Sequence, residues 1–129
     1  MGYTNYWNQS SDFTDQEWDT IMAFYRGLKH TFNFKDETYK GDAIQFNGLD
    51  GQDYETFYLS KYINKNADYE GHDSTFNFCK TNRKPYDAVV WSLLCFARYI
   101  KEDKSTFKIS NDDGEVQQWL VTILLNNME

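Results

Sequence analysis

The segment after Pro85, the only proline of the chain, is apolar on almost every side of the helix that it predicts. Proline is well tolerated in the first turn of a helix, where its missing N–H costs no hydrogen bond. The apolar residues of the two faces are Val89, Val90, Trp91, Leu93, Leu94, Cys95, Phe96, Ala97, Tyr99 and Ile100. A helix that is apolar on most sides has to be buried. We therefore expect a central helix, covered by a sheet on one face and by other helices on another.

Two more helices are predicted on either side of this central one. Thr14 and Glu17 have the spacing of a capping box, and a stripe of apolar residues follows, so we expect a helix from about Asp15 to Lys29. A capping signal at residues 110–112 precedes a last helix. The inward-facing residues expected in it are Val116, Trp119, Leu120, Ile123 and Leu124.

The middle of the chain has the two-residue period of β-strands. Segments 31–34, 43–46, 54–59, 74–80 and 105–110 are rich in strand-forming residues and are separated by turn dipeptides such as Asn47-Gly48. The first 12 residues carry no periodicity and are expected to form a loosely ordered arm. The predicted fold is a single α+β domain over residues 1–129, with an antiparallel sheet of about four or five strands and three helices packed on it, in the order α-β-β-β-α-β-α.

Charge restricts the classes of partner. The chain has 20 acidic and 13 basic residues, a formal net charge of −7. General nucleic-acid binding and anionic membrane surfaces both favour basic proteins, so neither is expected. An acidic, aromatic-rich surface suits contact with a basic patch on another protein, so a protein partner is expected. The N-terminal sequence is unlike a signal peptide and no apolar run reaches membrane length, which predicts a cytoplasmic protein.

Motifs for catalysis, cofactors and metals are missing from the sequence, which favours a non-catalytic protein with no cofactor and no metal. Cys79 and Cys95 lie outside any zinc or redox spacing and are expected to be buried thiols.

One cluster of polar residues is a candidate site. Lys80, Arg83 and Lys84 gather positive charge just before the central helix, whose N-terminus carries the positive end of the helix dipole. Such a junction would hold a phosphate or carboxylate, with neutral hydrogen bonds from other residues. The candidate ligand-binding residues are Lys80, Thr81, Arg83, Lys84, Tyr86 and Asp87. The alternative is a solvated loop, in which Asp87 satisfies the helix dipole or pairs with Arg83.

The stretch "FCKTNRKPYDAVV" and the later "KISNDDGEVQQW" resemble a pattern in small uncharacterised proteins of tailed bacteriophages and prophages. The resemblance covers roughly the C-terminal half, and the chain departs from the pattern by an extra residue before Gly114 and by its long N-terminal arm. The matching residues are Phe78, Cys79, Lys80, Thr81, Arg83, Lys84, Pro85, Tyr86, Asp87, Ile109, Ser110, Asp113, Gly114 and Trp119.

Two functions follow as hypotheses. The first is a non-catalytic phage-type accessory protein in the cytoplasm of the infected or lysogenic cell, which binds a host or phage macromolecule to counter host defence or redirect host machinery. The second is a binder of, or an enzyme acting on, a phosphorylated small molecule or nucleotide held by Lys80, Arg83 and Lys84.

Overall fold

The computed structural model describes residues 3–63 and 75–112. Within these ranges the chain forms two α-helices, a short 3-10 helix and six strands. In chain order they are β1 (Thr4–Gln9), α1 (Asp15–Thr31), β2 (Lys35–Asp36), β3 (Ala43–Asn47), β4 (Phe57–Ser60), β5 (Phe76–Lys80), α2 (Asp87–Ile100), the 3-10 helix (Lys104–Thr106) and β6 (Phe107–Asn111).

The strands form two antiparallel sheets of three strands each. The first sheet has the order β5-β1-β6, and the second has the order β2-β3-β4. The predicted strands on either side of the Asn47-Gly48 turn pair with each other as β3 and β4, and Ile44 lies opposite Leu59. The sheets meet where Gln9 of β1 donates from Nε2 to the Ser60 carbonyl of β4 at 2.9 Å.

The predicted arrangement of strands and helices is wrong, although the α+β class holds. The expectation was one sheet of four or five strands with three helices, whereas the described residues form two sheets of three strands and two α-helices. Strand β2 has only two residues, and both are exposed, so the sequence shows no alternation of apolar residues there. The predicted last helix lies outside the described residues.

Residues 4–9, expected within a loose arm, instead form β1, the central strand of the first sheet. Alternate side chains of this strand are buried, but two of them, Asn5 and Gln9, are polar. They tolerate burial because each makes a hydrogen bond, Asn5 to Asp87 and Gln9 to Ser60. Because two of its three inward positions are polar, the strand shows no alternation of apolar and polar residues in the sequence.

The two α-helices match their sequence signals closely. The Thr14–Glu17 capping box is present, with Glu17 N–H donating to Thr14 Oγ1 at 3.1 Å and Thr14 N–H donating to Glu17 Oε1 at 2.9 Å. Helix α2 is buried along all of residues 89–97. It packs against α1 on one side, where the Phe24 and Phe96 rings stack at 4.0 Å, and against β1 and β6 on the other. The prediction of a central helix is confirmed.

In residues 3–63 and 75–112, no helix combines the length and apolar character needed to cross a membrane.

Candidate functional site

The candidate cluster lies where the sequence predicts, between a strand and the central helix. Lys80 ends β5, and residues 81–86 form the connection to α2. The backbone N–H groups of Thr81 and Asn82 both donate to the Tyr3 carbonyl, at 3.0 and 3.1 Å. Helix α2 begins at Asp87 rather than at Pro85, since Pro85 and Tyr86 form a turn just before it.

Three of the six candidate residues make contacts inside the protein. Thr81 is fully buried, and its hydroxyl donates to Asp87 Oδ1 at 2.6 Å. The same carboxylate oxygen accepts from Asn5 Nδ2 at 2.7 Å. Tyr86 is also buried, and its hydroxyl donates to the Glu55 carbonyl at 2.6 Å. These contacts join the start of α2 to β1 and to the segment before β4.

The three cationic candidates lie further out. The Arg83 side chain is exposed, and its guanidinium carbon lies 4.2 Å from the centroid of the Tyr3 ring. Lys80 Nζ lies 5.7 Å from the Tyr54 ring centroid, and Lys84 is half-buried. The structure therefore joins Thr81 to Asp87, while Lys80 and Arg83 contact two different aromatic rings. Binding of an anion by these cations stays a prediction.

The turn holds two non-glycine residues in the left-handed region of backbone space. Asn82 has φ of 54° and Arg83 has φ of 60°, and Lys84 N–H closes the turn by donating to the Thr81 carbonyl at 3.0 Å. Asparagine tolerates this region, whereas for arginine the Cβ atom makes it costly. Backbone strain of this kind often persists at binding sites.

Because of that strain, we expect Arg83→Gly to be more stable than Arg83→Ala by about 1 kcal/mol in urea unfolding. Both variants lose the guanidinium, so the difference isolates the backbone. An alanine variant as stable as the glycine variant would show that the turn is relaxed. If Arg83 holds an anion, both variants also lose the thermal stabilisation that phosphate compounds give the wild-type protein.

An aromatic surface that sequence reasoning missed lies on the outer face of the first sheet. Residues 77 and 79 of β5 face inward, which leaves Phe76 and Phe78 exposed, at 39% and 47% of their area. Tyr6 of β1 lies directly opposite Phe78. Its ring centroid is 6.1 Å from that of Phe76, and the Phe76 and Phe78 centroids are 6.2 Å apart. We call these three residues the outer aromatic cluster. The alternation in "FNFCK" was the available signal, because it shows that both phenylalanines share one face and Cys79 the other.

Charged residues flank the outer aromatic cluster on the same face. Lys80 follows Phe78 by two positions on β5, and Lys108 of β6 lies opposite Asn8 of β1. Asp112 accepts from the Thr4 N–H at 2.9 Å and from the Tyr6 hydroxyl at 3.2 Å. The face therefore carries three rings with one lysine on each outer strand and one acid tied to the central strand.

Both thiols are buried, as predicted. Burial raises the pKa of Cys79 to about 12, and the nearby Glu55 charge adds to this effect. Burial also raises the pKa of Cys95 to about 12. Both are therefore protonated at neutral pH, which is unsuited to nucleophilic chemistry.

Comparison with protein-family models, with curated proteins and with solved structures finds no match to this chain.

Proposed function

We propose that this is a non-catalytic, phage-type accessory protein that binds a host or phage macromolecule in the cytoplasm of the cell that makes it. We further propose that the outer face of the first sheet is the surface that binds. The observation that carries the proposal is the outer aromatic cluster. The phage-type assignment in this proposal rests on the resemblance of residues 78–87 and 109–119 to small phage proteins.

The two faces of the first sheet support this assignment. The inner face packs on α2, so the fold already has its core without the outer face. Neighbouring exposed rings on one rigid face are a feature of surfaces that bind proteins and of surfaces that stack unpaired bases. The rings sit on strands that are hydrogen-bonded along their length, so binding would require little ordering of the backbone.

The test is recovery of a partner that depends on this face. Tagged wild-type protein and a Phe76→Ser/Phe78→Ser variant are incubated with lysate of the phage's host, with and without nuclease, and both protein and nucleic acid are analysed. We expect a stoichiometric partner with the wild type and its loss with the double variant. A Tyr39→Ser variant is the matched control, because Tyr39 is 73% exposed and lies between β2 and β3 of the second sheet. Recovery of the same molecules by all three proteins would contradict the proposal.

A further inference from the structure

We infer that the outer aromatic cluster stacks the bases of single-stranded nucleic acid, with Lys80 and Lys108 contacting the phosphates. This inference rests on the proposed function and names the class of macromolecule that the same face would bind.

The first argument is the arrangement of the rings. Phe76 and Phe78 are two positions apart on one strand, and Tyr6 lies opposite Phe78 on the neighbouring strand. Aromatic residues on the outer face of an antiparallel sheet are a known platform for stacking two or three unpaired bases. The centroid separations of 6.1 and 6.2 Å are nearly twice the spacing of about 3.4 Å between stacked bases in a duplex strand. The rings therefore suit bases that are splayed apart, as in a single strand.

The second argument is the size of the surface. A phenylalanine offers about 150–250 Å² in all, and Phe76 and Phe78 are each less than half exposed. A stable protein interface buries about 800 Å² on each partner, several times what these rings provide. Two or three stacked bases need no larger apolar contact than this cluster.

The third argument is the charge of the face. Lys80 and Lys108 lie on the two outer strands, on either side of Tyr6, where a strand crossing the rings would place its phosphates. Asp112 and Glu55 oppose them, although the Asp112 carboxylate is engaged by Thr4 and Tyr6, and the Glu55 carboxylate accepts from the Lys80 N–H at 2.7 Å. With two lysines and a chain of net charge −7, the binding would come mainly from stacking. Duplex DNA has no unpaired bases to stack on the rings. The net negative charge would therefore exclude it.

The experiment measures the fluorescence anisotropy of a labelled oligothymidine and a labelled oligouridine of about twelve nucleotides, with the purified protein. We expect micromolar binding that a duplex competitor does not displace. Phe76→Leu and Phe78→Leu keep an apolar side chain but remove the ring, and each should weaken binding about tenfold. Tyr39→Leu, the matched control, should bind as the wild type does.

Salt dependence gives a second measurement that does not rely on the aromatic variants. Two phosphate contacts predict a slope of about −1.4 for log affinity against log salt between about 50 and 200 mM, and Lys108→Gln should reduce its magnitude by about 0.7. Circular dichroism confirms that each variant is folded.

The inference is overturned if the wild type binds neither of the two oligonucleotides at about 100 µM protein. It is equally overturned if the leucine variants bind as tightly as the wild type. A protein partner recovered from lysate through Phe76 and Phe78, with no oligonucleotide binding, would leave the proposed function standing and reject this inference alone.

Discussion

Replacing Lys101 with methionine is expected to lower the free energy of unfolding by about 3–5 kcal/mol. Lys101 is only 4% exposed. Its Nζ donates to the Asp12 carbonyl at 2.5 Å and to Glu17 Oε1 at 3.3 Å. Methionine fills much of the same space but leaves the carboxylate of Glu17, a residue that is 8% exposed, without its cation. Urea unfolding measures the loss, and Lys40→Met, at an exposed lysine, should change stability by no more than about 0.5 kcal/mol.

The pH dependence separates the charge of Lys101 from its packing. Burial by itself raises the pKa of Glu17, but hydrogen bonds from the Thr14 and Glu102 N–H groups, together with Lys101, outweigh it and hold that pKa below its ordinary 4.5. A carboxyl group with a lowered pKa stabilises the fold above its unfolded pKa, and this stabilisation disappears as the pH falls through the folded pKa. Lys101→Met removes one of the interactions that lower the Glu17 pKa. The difference in unfolding free energy between the wild type and the variant should therefore narrow below pH 4.5. A gap that stays constant with pH would assign the effect to packing alone.

Asp87→Ala is expected to cost about 2–4 kcal/mol, because two buried donors lose their acceptor. Asn5 and Thr81 are both fully buried, and both donate to Asp87 Oδ1. Asp87→Asn keeps one carbonyl oxygen at this place and should cost less. Thermal and urea unfolding measure the losses.

Asp19→Ala is the matched control, because Asp19 is an exposed acid on α1 and should change stability by no more than about 0.5 kcal/mol. A small effect of Asp87→Ala would mean that Asn5 and Thr81 find other acceptors. Asp87 would then be available to a ligand, as the sequence prediction supposed.

The helices could be predicted from the sequence because their signals are local. The capping box of α1 lies within four residues, and the burial of α2 follows from its own apolar faces. Strand β1 could not be predicted, since its burial depends on partners distant in the chain. Asn5 is a plausible inward residue only once Asp87 is known to lie beside it.

The candidate site could be predicted only in part, for a similar reason. The turn, the exposed Arg83 and the cations near the start of α2 follow from Pro85 and the charges around it. The burial of Thr81 and Tyr86 depends on Asn5 and Glu55, which lie far away in sequence. The outer aromatic cluster could be predicted only if it were known which face of β5 packs on the core. The apolar residues alone suggest that Phe76 and Phe78 face inward, whereas both are exposed.

The central position of β1 has a consequence for synthesis on the ribosome. Both neighbours of this strand come much later in the chain, since Asn5 lies opposite Cys79 on one side and opposite Asn111 on the other. At about 5–20 residues per second, the strand that emerges early waits several seconds for its last neighbour. Pairings this far apart also slow folding, because a long loop must close first. Tyr3 and Trp7 are therefore exposed on the nascent chain during that interval. A chaperone that binds exposed aromatic residues would act at this stage.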